Sequence, residues 1–256
     1  MHPSLQRLMT VSSGTRTGVH NMAVDEWLLE RLQSSESPQT LVVRIYRWRR
    51  PTWSLGVHQK LSDAPRLKKI SPEPDAVRFV RRPTGGRAIL HGEDTSFSFI
   101  TNDPAICRAT LCDSYRLFMG WVRDALEEVG IATQSSCETD HRAYSRSSLC
   151  FETSTPFDLR DESGRKFVGS AQVRRAGAIL QHGAIFFPPG TTAETRDAFD
   201  AALFNRVANA LALKPEVPPE PDEGLKALLR AYGREAAGIL ASASTTSGSH
   251  LTPASR

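Results

Sequence analysis

Residues 76–100 read AVRFVRRPTGGRAILHGEDTSFSFI, and this stretch sets the fold class. Ala76 to Arg81, Arg87 to His91 and Ser96 to Ile100 are short and rich in strand-forming residues, with Gly85 and Gly86 punctuating the first connection. Three successive strands predict a β-rich centre. The paired glycines also let a backbone approach a ligand closely, and the flanking Arg81, Arg82 and Arg87 are able to meet carbonyl or phosphate oxygens. A plain glycine turn with solvated arginines accounts for the same residues equally well.

Toward the N-terminus, a helix is predicted from Asn21, a good N-cap, through Met22, Ala23, Trp27, Leu28 and Leu32, with Asp25 and Glu26 near its positive end. After the polar break at Ser34 to Pro38, Leu41 to Trp48 and Thr52 to Val57 read as strands. Toward the C-terminus, Leu111, Tyr115, Phe118, Val122, Leu126 and Val129 recur at helical intervals. They predict a long amphipathic helix that ends at Gly130 and packs across the sheet. Strand candidates return at Leu149 to Glu152, Phe157 to Arg160, Lys166 to Val168 and Ala178 to Phe187, with Ser163 and Gly164 as a hairpin turn. Thr191 and Glu194 form a capping box for a helix carrying Phe199, Leu203, Val207 and Leu211.

This order predicts an α+β fold, with mixed or antiparallel sheets packed with amphipathic helices, rather than a doubly wound sheet. Residues 1–213 are expected to form the main domain. Residues 214–241 read as a linker stiffened by Pro215, Pro218, Pro219 and Pro221, followed by one small helix using Leu225, Leu228, Leu229 and Tyr232. The Ser/Thr-rich residues 242–256 are expected to be a disordered tail.

The 256 residues, 39% hydrophobic and 23% charged, suffice for one substantial core. No apolar run approaches the ~20 residues of a bilayer span, and residues 1–10 lack the apolar core of a secretory signal, so a cytoplasmic protein without membrane association is expected. Cys107, Cys112, Cys137 and Cys150 form no CxxC pair and no Cys/His spacing suited to zinc, which favours free thiols and no structural metal. The formal charge of +4 is dispersed, with no Lys/Arg stripe interleaved with aromatics, which argues against nucleic acid as a partner. A mildly basic surface suits an acidic protein.

Two further stretches carry possible chemistry. Cys150 lies in Leu149-Cys150-Phe151-Glu152, after the small polar run Ser145 to Ser148; a cysteine in a strand is more often an inert core residue than a nucleophile. The other is Gly164-Arg165-Lys166-Phe167-Val168-Gly169-Ser170-Ala171-Gln172-Val173-Arg174, followed by Gln181-His182-Gly183. Lys166 alone reads as a surface charge and His182 alone as a satisfied structural histidine.

Taken together and in order, Asn21-Met22-Ala23-Val24-Asp25-Glu26, the Arg82-to-Ala88 loop, Cys150-Phe151-Glu152, Lys166 with Gly169-Ser170-Ala171-Gln172, and Gln181-His182-Gly183 resemble the lipoate-protein ligase and octanoyltransferase family. That family shares a fold with biotin protein ligases, and the resemblance covers about residues 20–212. Within it the chain is most similar to the branch that moves octanoyl groups from acyl carrier protein to protein lysines. The resemblance implies a biotin/lipoyl protein ligase-like catalytic domain, a thioester on Cys150, and Lys166 as the active-site lysine. It further implies an acyl pocket lined by Arg82, Thr84, Gly85, Gly86, Arg87 and His91, with Gly169, Ser170, Ala171, Gln172, His182 and Gly183 opposite. The donor would be octanoyl-acyl carrier protein, and the acceptor an apo lipoyl domain or a glycine-cleavage H-like protein. No cofactor is expected, because exchanging one thioester for another is nearly isoenergetic and needs no nucleotide. Lys166 would raise the thiolate fraction of Cys150, position the carbonyl oxygen and shuttle the acceptor's proton, with His182 as the alternative base.

Two related activities use the same residues. One is an ATP-dependent lipoate ligase, disfavoured by the short stretch after Leu213 and by Arg87, where ligases tend toward a third glycine. The other is an octanoyl amidotransferase acting between lipoyl-domain proteins. Outside enzymes, an acyl- or carrier-binding module with Cys150 merely buried is the alternative.

Overall fold

The computed structural model describes residues 3–33, 37–135 and 157–245. In chain order the elements are β1 (Arg7–Arg16), α1 (Gly18–Leu32), β2 (Thr40–Trp48), β3 (Thr52–Leu55), a 3-10 turn (Leu61–Asp63), α2 (Ala64–Lys69), β4 (Arg78–Arg81), β5 (Ile89–His91) and β6 (Thr95–Thr101). Then come α3 (Pro104–Arg108), α4 (Leu111–Glu128), β7 (Gln134–Ser135), β8 (Leu159–Arg160), β9 (Lys166–Arg175), β10 (Ala178–Ile185), α5 (Ala193–Leu211), β11 (Pro215–Glu216) and α6 (Glu223–Thr245).

Eight strands form one sheet in the order β11-β1-β2-β6-β10-β9-β8-β7, and β4-β3-β5 form a second, smaller one. In the large sheet β1 runs parallel to β2 and β11 and the other pairings are antiparallel. In the small sheet β3 is parallel to β4 and antiparallel to β5. The architecture is α+β with mixed sheets, as the strand order predicts.

Period-two alternation sorts β2 between two cores. Leu41, Val43 and Ile45 join Phe97 and Phe99 of β6 against α4 and α5. Val42 and Tyr46 face α1 on the other side. Both faces are covered, which is why β2 is rich in apolar residues on both sides and why even the serines and threonines of β6 are buried.

Several boundaries differ from expectation for local reasons. Thr17, not Asn21, caps α1, its side chain accepting from the His20 backbone N–H; Asn21 lies one turn inside the helix, where its amide donates to Arg47 O at 3.1 Å. Thr192 rather than Thr191 caps α5. β3 ends at Leu55, two residues before the expected Val57. β9 runs to Arg175, well past Val168, because Ala176 and Gly177 take positive φ (47° and 78°) and fold it back onto β10. Gly130, at φ 79°, lies just past α4 as expected. The expected strand at Leu149 to Glu152, with Cys150, and the Cys137 position lie outside the described residues.

The largest correction concerns the C-terminal region. Residues expected to be a linker and one small helix instead supply β11, paired with β1, and the 23-residue α6. Leu225 and Tyr232 pack with Trp27 on α1, whereas Ile239 and Ala243 pack with Trp53 and Phe79 of the small sheet. Asp222 anchors the start, accepting from Trp27 Nε1 at 2.8 Å and the Leu225 N–H at 3.1 Å. The apolar spacing was hidden because Ala, Gly and Ser fill most of the second half, and such residues bury little area each. Among the described residues, no helix is long and apolar enough to cross a membrane.

Candidate active site

A pocket is lined by residues of both sheets. Met22 of α1, Tyr46 and Trp48 of β2, and Ile89 and His91 of β5 supply one part of its lining; Arg82, Gly86 and Arg87 come from the connection between β4 and β5. Lys166, Gly169, Ser170 and Ala171 of β9, His182 and Gly183 of β10, with Ser54, Ser96 and Asp158, complete it. The tertiary fold therefore gathers ten residues singled out in the sequence: Arg82, Gly86, Arg87, His91, Lys166, Gly169, Ser170, Ala171, His182 and Gly183.

Three others stand elsewhere. Thr84 is fully buried behind the wall, where it meets His182 Nε2 at 2.7 Å. Gly85 turns its carbonyl to Arg82. Gln172 points to the opposite face of the sheet, donating to Ser114 Oγ of α4 at 3.1 Å and to Gln181 Oε1 at 2.8 Å. The reason is the pleat: a run of consecutive strand residues cannot all face one side. The Ser170 hydroxyl likewise lies toward Met119 of α4.

Arg82, part of the lining, also braces the loop around it. Its guanidinium donates to Ser54 O at 2.8 Å, Gly85 O at 2.7 Å and Arg87 O at 2.7 Å, with further bonds to the Ser54 and Thr84 hydroxyls at 3.2 Å. These contacts fix the glycine loop at the edge of the pocket. Gly86 takes φ 84° and approaches Gly56 so closely that a Cβ at Gly56 would lie 2.1 Å from Gly86 O. Only glycine at position 56 permits that crossing.

Two histidines sit in the wall, each between an aspartate and a hydroxyl. His182 Nδ1 lies 3.1 Å from Asp25 Oδ2. Asp25 also accepts from Arg44 Nη1 at 2.6 Å, Ser98 Oγ at 2.9 Å and Tyr46 Oη at 3.1 Å, and neither Arg44 nor Asp25 exposes any side-chain area. Burial alone would raise the Asp25 carboxyl; the Arg44 charge, with the bond and charge of His182, outweighs it and holds the group below the ordinary carboxylate range. Burial pushes His182 down against the raising pull of Asp25, so the ring is neutral at pH 7. A carboxylate only accepts, so the His182 proton is on Nδ1 and Nε2 accepts from Thr84. His182 thus has a partner on each ring nitrogen.

His91 is held in the same way, Nδ1 to Asp94 Oδ2 and Nε2 to Ser54 Oγ, both at 2.9 Å, and its ring stacks on Trp48 with centroids 3.9 Å apart. Burial would raise the Asp94 carboxyl, but the charge and bond of His91 and bonds from the Gly92 N–H and Ser96 hydroxyl hold it low. Lys166 Nζ lies 2.9 Å from Asp158 Oδ2, both side chains nearly covered.

Sequence reasoning missed Asp25, Arg44, Asp94 and Asp158. For two of them a signal existed. Asp25 falls on the helix stripe defined by Met22 and Leu28, and Arg44 interrupts an otherwise apolar strand; charges at core-facing positions need a partner.

By fold the molecule stands with the lipoate-protein ligases. It matches lipoate-protein ligase A bound with ATP at TM-score 0.62 and 19% identity, over 89% of this chain and 93% of that one. The bi-partite lipoate protein ligase of Thermoplasma acidophilum matches at TM-score 0.61 and 17% identity, over 88% and 91%. The pattern of the lipoyl protein ligase A/B catalytic domain spans residues 17–209, and the chain belongs to that family. Its curated relatives include octanoyltransferase LipM of Halalkalibacterium halodurans, 34% identical over 68% of this chain and 64% of the relative. Octanoyltransferase LipM of Carboxydothermus hydrogenoformans is 37% identical over 66% and 61%, and that of Bacillus subtilis 33% over 68% and 63%. The chain thus spans less than two thirds of the length of these relatives.

Proposed function

We propose that the protein transfers an octanoyl group from acyl carrier protein, through a thioester on Cys150, to the lysine of an apo lipoyl domain or a glycine-cleavage H-like protein, as the first step of protein lipoylation. The observation that carries this reading is a buried lysine, Lys166, set in the wall of a pocket whose remaining lining includes Met22, Trp48 and Ile89, in a chain related to octanoyltransferases.

The chemistry follows from these residue types. An apolar lining takes up a hydrocarbon tail: at about 0.8 kcal/mol per methylene, an octanoyl chain offers roughly 5 kcal/mol gross, enough to favour it over short acyl groups. The Lys166 cation stabilises negative charge on the carbonyl oxygen as sulfur or nitrogen attacks. A thiol with a pKa of about 8.5 is only a few per cent thiolate at neutral pH, and a nearby cation raises that fraction for Cys150. Neither described cysteine lines the pocket, and burial, with the Asp103 charge, pushes the Cys107 thiol up to about 11, which suits an inert residue. Arg82, Thr84 and Gly85 act by holding the loop, and Gln172 by bracing β9 on α4.

The test offers the purified protein an apo lipoyl domain with octanoyl-acyl carrier protein, with octanoate plus ATP, or with an octanoylated lipoyl domain. Octanoylation from the carrier without nucleotide is expected. Product only with ATP assigns a lipoate ligase instead, and product only from the acylated lipoyl domain assigns an amidotransferase. Intact-protein mass spectrometry should find an octanoyl adduct on the wild type and none on Cys150→Ala; an undiminished adduct on the variant rejects Cys150. An acyl-binding module would yield no product in any arm.

A further inference from the structure

Lys166 reaches the pocket by a path that depends on the glycine three residues along the same strand. A Cβ at Gly169 would lie 2.8 Å from Lys166 Cε and 3.1 Å from Nζ, so the side chain lies directly against the Gly169 backbone. The same added Cβ would stand 3.5 Å from Asp158 Oδ1. The lysine ends on that carboxylate, at 2.9 Å, with side-chain exposures of 5% and 3%. Asp158 immediately precedes β8, which pairs with β9 through Leu159 and Val168, so the register of two adjacent strands fixes where acid and base meet. Both groups line the pocket. A charge-assisted bond at this distance fixes where the lysine nitrogen points.

We propose that Asp158 is a positioning residue for the acyl transfer: its carboxylate holds the Lys166 nitrogen in the pocket wall, directed at the acyl carbonyl oxygen, so that Lys166 polarises the carbonyl rather than taking the acceptor's proton. The inference rests on the transfer reading given above. As the acceptor nitrogen forms its bond to the acyl carbon, the carbon–sulfur bond breaks. An acceptor ammonium sheds two protons in all: one leaves to solvent before attack and the other goes to the departing sulfur, while Lys166 keeps its own.

The test uses the full chain and reads Lys166 without any acyl donor. Asp158→Asn keeps the shape and removes the charge. Brief acetylation with acetic anhydride at constant pH, followed by peptide mass spectrometry normalised to the exposed Lys69, should show Lys166 modified about ten-fold faster in Asp158→Asn than in the wild type. Asp158→Glu, which retains the charge, should keep labelling slow. With octanoyl carrier as donor, Asp158→Asn should lower kcat about ten-fold with little change in KM, the split expected when an interaction made in the transition state is lost. Unchanged Lys166 labelling in a folded Asp158→Asn protein overturns the proposal, as does fast labelling in Asp158→Glu should the Asn variant fail to fold. A wild type that transfers no acyl group from any donor, yet whose labelling responds to Asp158→Asn, overturns the transfer reading while the holding role of Asp158 stands.

Discussion

Asp25 shows how much one side chain sets in this protein. It gathers Arg44, Tyr46, Ser98 and His182 from three strands of the large sheet onto α1, all of them buried. Replacing Arg44 with Met leaves that carboxylate without its strongest partner, and a loss of about 3–5 kcal/mol in urea unfolding is expected, as for other broken buried ion pairs. The same cluster makes stability depend on pH. An unfolded histidine titrates near 6.5, whereas burial holds His182 lower in the fold. Between those values the unfolded chain binds a proton that the folded chain refuses, so stability falls as pH drops below about 6.5. The depressed Asp25 carboxyl adds a second loss as pH falls below the unfolded value near 3.9 toward its own. His20, also lowered by burial and by Arg44 and Arg16, acts in the same direction as His182. The His182→Gln variant, able to donate to Asp25 and accept from Thr84, should therefore flatten but not abolish the fall in Tm between pH 7.5 and 5; a parallel curve would refute the role given to His182. Gly169→Ala forces Lys166 aside, and octanoyl transfer should fall more than ten-fold for an unfolding cost of only about 1–3 kcal/mol.

At the scale of elements, α6 is the strap between the two sheets. Its first half rests on α1 and its second half on the small sheet, and Arg81 of β4 bonds Glu235 across it at 2.8 Å. Tyr232 bonds Glu26 of α1 beside the Arg175–Glu26 pair. Because Ile239 is 1% exposed, Ile239→Ala should cost about 2–5 kcal/mol, measured by urea unfolding. A value near zero would mean that the second half of α6 contributes little. The loop that Arg82 holds belongs to the same small sheet, so loosening α6 should also raise KM for the acyl donor. The long helix α4 and the central strands β2 and β6 were readable within a residue or two, because a strong period survives any context. β1 was not: its ten residues show no alternation, with Leu8, Met9 and Val11 followed by the polar run to Arg16, and pairing with β2 and β11 holds it extended.

At the scale of the whole molecule, the pocket exists only because strands of both sheets contribute to its wall, with residues separated by as many as 157 positions in hydrogen-bond contact, as Asp25 and His182 are. Its activity is tested at the same scale: octanoyl carrier without nucleotide should acylate an apo lipoyl domain, and the Cys150→Ala chain should not. The sequence alone determined the α+β class, the central strands, the glycine loop and the identity of the residues with chemical potential, since composition and periodicity are properties of neighbours along the chain. It did not determine which of those residues share the pocket. Gln172 and the Ser170 hydroxyl turn away from it because strand pleating assigns alternate faces, whereas Thr84 stands behind the wall on His182. Asp25, Asp94 and Asp158 entered the site through side-chain contacts between separate elements. Such contacts belong to the tertiary structure, because only packing decides which buried charge meets which partner.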